Sequence, residues 1–147
     1  METTVHSYSI EFEKDLPEHI GLLEEKLYAF NSVKINKHDG EYFSAILRDV
    51  HNEMVAGVAG WTWAGVCEIT QLWVTENLRN TGIGSRLLGA AENRAKSKGC
   101  VRILVRSYSF QAPHFYMKHG YQVEHIVNAF PAGHSYFILT KRMKREK

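Results

Sequence analysis

Cysteine is scarce in this chain, with two in 147 residues, Cys67 and Cys100. Both sit inside apolar, strand-like runs. They read as reduced core residues rather than a disulfide pair, as in a cytosolic protein. Charge of one sign is lacking too. Eighteen Lys and Arg stand against 16 Asp and Glu, a formal net charge of +2. So small a balance gives no case for a nucleic-acid or membrane partner. No apolar run approaches the roughly 18 residues of a membrane span. The opening Met1-Glu-Thr-Thr has neither the basic nor the apolar region of a signal peptide. A cytoplasmic location is expected. The eight histidines show neither i, i+4 pairing nor clustering with cysteine, so no metal site is expected. No internal repeat, low-complexity segment or linker divides the chain. Residues 1–147 are expected to form one domain.

What is present is 44% hydrophobic residues, enough for a sizeable core. Ser7 to Phe12 alternates polar and apolar residues and reads as a first strand. Asp15 is placed to cap a helix that Pro17 opens. Ile20, Leu23, Leu27 and Phe30 recur at helical spacing and give that helix one buried face. Tyr42–Arg48 and Met54–Trp63 read as strands joined by a tight turn at His51-Asn52-Glu53. Ala64-Gly65 then turns the chain into a third strand, completing an antiparallel meander.

The chain is organised around Val66 to Leu88. β-Branched and apolar residues dominate Val66–Thr75, which suits a buried strand. Arg79-Asn80-Thr81-Gly82-Ile83-Gly84 follows and opens a helix. Gly82 lets the backbone turn sharply and lie close to a ligand. The first amides of a helix lack intrahelical partners and sit at the positive end of its dipole. Loop and helix start together suit a phosphate or pyrophosphate. No Gly-Lys-Ser/Thr follows, which excludes a P-loop, and Leu87 stands where a dinucleotide fingerprint needs its third glycine.

Leu88, Ala91 and Ala95 share one face of this helix, and Gly99 stands at its C-terminal cap. Cys100–Val105 reads as the next buried strand, so a parallel crossover is expected. Pro113–His119 reads as a short helix. Tyr121–Val127 and Ser135–Arg142 are the last strands, joined by Phe130-Pro131-Ala132-Gly133. The basic end from Lys141 reads as a solvated tail.

With Arg79 included, the glycine loop reads Arg-x-x-Gly-x-Gly. It resembles the Q/R-x-x-G-x-G/A pyrophosphate loop of the GCN5-related N-acetyltransferase (GNAT) family. Downstream, Phe115-Tyr116-Met-Lys-His-Gly120-Tyr121 resembles the family's Phe/Leu-Tyr-x-x-x-Gly-Phe/Tyr segment, in the right order and separation. The resemblance implies an α/β (α+β) GNAT fold, a mixed six- to seven-stranded central sheet flanked by about four helices. It implies acetyl transfer from acetyl-CoA to an amine of a small molecule or protein by direct attack. A non-catalytic acyl-CoA-binding module, a sensor or partner subunit, is the alternative.

Carried over by motif, Asn80, Thr81, Gly82, Ile83 and Gly84 would bind the pyrophosphate. Arg79 would add charge or hold the loop. Backbone groups of Leu72, Trp73 and Val74 would take the pantetheine arm, with the Val74 amide donating to the thioester oxygen. Tyr116 would lie near the CoA sulfur and donate a proton to the leaving thiolate, with an aromatic core residue on a short helix as its other reading. Glu68 matches the strand glutamate that serves as base in the histone-acetylating branch. A structural carboxylate paired with a neighbouring Arg or Lys, and a binder of the substrate ammonium, remain open for it. Ser107 and Ser109 stand where many relatives hold asparagine, and Ser109 is carried as a coenzyme-binding candidate. Trp61, Trp63, Trp73, Tyr108 and Phe110 are candidates for the acceptor side or the core, and His134 for the acceptor end or the surface. The acceptor itself is not readable, and a homodimer is permitted.

Overall fold

A computed structural model describes residues 7–14 and 16–144. The chain falls into two compact units, one up to Lys37 and one from His38 onward. In the first unit, helix α1 spans Pro17–Ile35. Pro17 opens it, where a missing N–H costs nothing. Leu16 is the N-cap and offers no side-chain cap, while Asp15 lies outside the described residues. Asn36, at φ 52°, ends the helix in the left-handed region. Ile20, Leu23, Leu27 and Phe30, expected as a buried face, are exposed and find no cover inside this unit. Ser7 to Phe12 forms no strand: alternation alone is insufficient without a partner to complete the ladder.

The second unit carries a six-stranded mixed sheet. Its strands are β1 (Glu41–Arg48), β2 (Met54–Trp63), β3 (Val66–Val74), β4 (Arg102–Tyr108), β5 (Gln122–Asn128) and β6 (Ser135–Arg142). Their order across the sheet is β1-β2-β3-β4-β6-β5. The meander β1-β2-β3 is antiparallel, β3 and β4 are parallel, and β6 enters antiparallel between β4 and β5. Helix α2 (Ile83–Ser97) makes the crossover between the parallel strands, and α3 (Pro113–Lys118) connects β4 to β5. A single 3-10 turn, Glu76–Leu78, precedes the glycine loop.

Alternation of side chains explains the core. Cys67 and Ile69 of β3, Ile103 and Val105 of β4 and Leu139 of β6 are buried with Leu88, Ala91 and Ala95 of α2. Leu88 is fully buried, and truncating it to alanine would cost about 2–5 kcal/mol. The helix ends as Gly99 predicts. Gly99, at φ +72°, donates to the Lys96 carbonyl at 3.0 Å, and Cys100 donates to that of Ala95 at 2.9 Å. Both cysteines are free and buried, and burial, more than the nearby Cys100 and Glu68 charges, pushes the Cys67 thiol up to about 12.

Candidate active site

The site begins with a break in the sheet. β3 and β4 pair only from Val66 with Arg102 to Ile69 with Val105, although both strands run on. The break coincides with a bulge. The β2 partner of Ile69 is Gly60 and that of Gln71 is Ala59, so Thr70 is the extra residue. A bulge bends its strand and raises the local twist, which turns the end of β3 away from β4. Gly60 permits it: a Cβ there would lie 2.1 Å from the Glu68 carbonyl oxygen.

Register then decides which backbone groups face the parting. The Thr75 N–H donates to the Val55 carbonyl at 2.8 Å, and the ladder continues as 56–74, 57–73 and 58–72. Trp73 and Gly57 are therefore a hydrogen-bonded pair, whereas Leu72 and Val74 turn their N–H and C=O away from β2. Of the three residues expected to lend main-chain groups, Leu72 and Val74 present theirs to the parting. Trp73 spends its own on β2, and its side chain is half exposed.

The glycine loop closes the same end. The Arg79 Nε donates to the Val74 carbonyl at 3.1 Å, tying the loop to the strand it leaves. The Thr81 hydroxyl donates to the Leu78 carbonyl. Asn80 and Gly82 have φ of 61° and 87°, so the loop turns twice through the left-handed region. Gly82 is the N-cap of α2 and has no side chain to cap it, and no acidic residue lies in the first turn. The amides of Ile83 and Gly84 thus stand at a positive helix end without a side-chain cap. A Cβ on Gly82 would meet nothing within 4 Å. One on Gly84 would point inward, 3.6 Å from Phe115 and 3.9 Å from Val74.

Helix α3 completes the enclosure. Besides Phe115 beside Gly84, the Ser85 hydroxyl and His119 Nε2 are 3.1 Å apart. Tyr116 is buried, edge-on to Phe115 and Tyr121 at centroid distances of 5.3 and 5.6 Å. Burial pushes its phenol up to about 12. The buried Ser107 hydroxyl accepts from the Ala112 amide at 3.1 Å and so ties β4 to the start of α3. Ser109 instead closes the β4–β6 ladder. Its amide donates to the Ser135 carbonyl at 2.7 Å, and its hydroxyl accepts from the Ser135 amide at 3.0 Å.

Glu68 leaves the other face. It lies between Cys67 and Ile69, which pack in the cluster that includes Tyr116, so its carboxylate projects oppositely. That carboxylate is largely covered, with 17% of its side chain accessible, and lies 3.4 Å from the Arg106 Nε on β4. Glu68 and Tyr116 are therefore on opposite faces of the sheet, and a ligand reaching both must cross the parting of β3 and β4.

Gly60 and Arg106 escaped the reading of the sequence, while Phe115 and His119 were placed in the second motif without a role at the loop. Gly60 had a local mark, an isolated glycine inside a strand, which points to a bulge or close backbone approach. Among the described residues no group of three or more His, Cys, Asp or Glu is placed to hold a metal. No helix there is long and apolar enough to cross a membrane.

A split parallel pair, a glycine loop at its carboxyl end and a short aromatic helix across the loop are the arrangement that the resemblance to the GNAT family implies. Comparison with known proteins agrees. The model of the acetyltransferase (GNAT) family matches residues 3–121, and the chain belongs to that family. It is 35% identical over 95 residues to a blasticidin-S acetyltransferase of Streptomyces morookaense, covering 62% of this chain and 68% of the relative. The crystal structure of an acetyltransferase from Bacillus cereus is 34% identical, with a TM-score of 0.76 over 95% of this chain and all of that one. A Bacillus anthracis chain solved in complex with acetyl coenzyme A shares the fold at 18% identity, with a TM-score of 0.61 over 70% of this chain and 63% of that one.

Proposed function

We propose that this protein transfers the acetyl group of acetyl-CoA to a primary amine by direct attack. The observation that carries the reading is the end of the β3–β4 ladder at Ile69 and Val105, while β3 runs on to Val74 and the glycine loop follows it. It leaves the main-chain groups of Leu72 and the amide of Val74 turned away from β2, beside a helix start that no side chain caps, while the Val74 carbonyl accepts from Arg79.

Each residue then has a task. Asn80, Thr81 and the amides of Gly82, Ile83 and Gly84 hold the diphosphate, while Arg79 fixes the loop through Val74. The Leu72 backbone aligns the pantetheine arm. The Val74 amide donates to the thioester oxygen, where negative charge develops. Glu68 accepts a proton, through water, from an ammonium of pKa near 10.4, of which only about one in a thousand is neutral at pH 7. Tyr116 returns a proton to the thiolate. With its phenol at about 12 against a thiol near 8.5, that transfer is uphill by about 5 kcal/mol. It fits within a barrier of about 16 kcal/mol for turnover on the order of ten per second.

The test is thiol release from acetyl-CoA in the presence of a panel of amines, blasticidin S among them, with coenzyme binding followed by calorimetry. Amine-dependent release is expected. Coenzyme binding without it would overturn catalysis, and no binding would overturn the assignment of the loop.

A further inference from the structure

Five rings gather at the carboxyl end of β4. Tyr108 ends that strand, Phe110 follows it, Phe130 and His134 come from the β5–β6 loop, and Tyr136 is the second residue of β6. Tyr108 and Tyr136 are register partners and lie 4.4 Å apart between centroids. Phe110 stacks on Tyr108 at 5.1 Å and 4°, and Phe130 lies at 6.3 Å and 11° to it. His134 stands edge-on to Phe110 at 5.0 Å and 85°. The two outer rings stay open to solvent, Phe110 by 59% and Phe130 by 47%.

The cluster lies on the face that carries Glu68. Arg106 and Tyr108 are two apart on β4 and share a face, and Arg106 reaches the Glu68 carboxylate. An amine delivered to Glu68 shares this face with the rings, which lie beyond Arg106 along β4. Nearly parallel, half-exposed rings offer flat π-faces, which favour a planar partner over a flexible chain. None of the five carries negative charge, and Arg106 beside them is cationic. A second or third ammonium on the acceptor would find no counter-ion in the wall and a like charge at its edge.

We infer that the stacked wall of Tyr108, Phe110, Phe130 and Tyr136 selects the acceptor, and that the preferred acceptor is a monoamine bearing a flat, uncharged ring. The inference rests on the acetyl-transfer reading above and assigns the acceptor class of the same site.

The experiment compares kcat/KM for 2-phenylethylamine, n-hexylamine, spermidine and a short peptide with a free N-terminus, at saturating acetyl-CoA. The aryl amine is expected to lead by about tenfold. Phe110→Ala should raise KM for the aryl amine more than for hexylamine, with the KM for acetyl-CoA unchanged. Phe110→Leu keeps the apolar bulk but removes the flat face, and should lose the same preference. Equal rates for aryl and alkyl amines, a lead for spermidine or the peptide, or a preference intact in Phe110→Leu would overturn the inference while leaving acetyl transfer standing. Absence of thiol release with every amine would instead overturn the reading on which it rests.

Discussion

Gly60 of β2 and Glu68 of β3 approach so closely that a Cβ on the glycine would sit 2.1 Å from the Glu68 carbonyl oxygen. The obstacle is backbone, which cannot swing aside as a side chain can. The same Cβ would meet the Phe43 ring at 2.8 Å. The close approach lies at the β2–β3 bulge that turns the end of β3 away from β4, so a residue with no side chain helps set the geometry of the site.

Gly60→Ala should therefore force β2 and β3 apart, at a cost of about 1–3 kcal/mol or more. In a chain of this size the midpoint of thermal unfolding should fall by several degrees. Coenzyme affinity, measured on the folded fraction, should fall as well, because the bulge orients Leu72 and Val74. A variant with unchanged melting and unchanged affinity would show that the strands have slack there.

Gly82 and Gly84 should respond in opposite ways, although the loop motif contains both. Gly82 has φ 87°, and the space its Cβ would enter is empty of protein. Gly82→Val should add backbone strain of about 1–2 kcal/mol and block the coenzyme. Gly84→Ala places a methyl at ordinary contact distance from Phe115 and Val74, inside the protein. It should leave coenzyme affinity within about threefold, and stability should change by less than about 1 kcal/mol. Calorimetric titration of both variants with CoA checks the contrast, and equal losses would contradict it.

Glu68 and Arg106 separate the base from a structural carboxylate by magnitude. An ion pair with a half-exposed arginine contributes at most about 1 kcal/mol to stability. A general base is worth about 10²- to 10⁴-fold in rate. Glu68→Gln should thus melt close to the parent protein yet lose about a hundredfold or more in kcat. Arg106→Gln should lose much less. Comparable small losses in both variants would return Glu68 to a structural role.

Tyr116→Phe should lower kcat by about 10- to 100-fold with acetyl-CoA affinity unchanged, since the ring contacts with Phe115 and Tyr121 survive. The raised phenol carries a sign for stability as well. Its folded value of about 12 lies above the ordinary 10, so the folded state keeps a proton that the unfolded chain gives up. That contribution is intact below pH 10 and is lost as pH rises from 10 to 12. Tyr121, raised chiefly by burial and also by Glu92, acts in the same direction. Denaturation between pH 9 and 12 should show stability falling with pH, less steeply in the phenylalanine variant.

Much of this was legible because it is local. Gly65, Gly82, Gly99 and Gly120 all take positive φ, and each marks a turn or helix end that the sequence places. Met54–Trp63 and Ser135–Arg142 have the bounds their residue pattern gives, and Leu88, Ala91 and Ala95 bury as helical spacing requires. Ser7 to Phe12 misled because its alternation is genuine, yet a strand also needs a neighbour to take up its hydrogen bonds.

By itself the sequence determined where the later turns fall, which stretches from Pro17 onward form helix or strand, and the glycine loop that opens α2, since backbone sterics and side-chain period act over a few residues. Only the tertiary structure decided that β6 lies between β4 and β5, that Thr70 bulges against Gly60, that the β3–β4 ladder stops at Ile69 and that Glu68 meets Arg106. Those outcomes depend on which distant backbones meet and in what register. A shift of one residue in that register exchanges the two faces of a strand, so no local pattern can fix it.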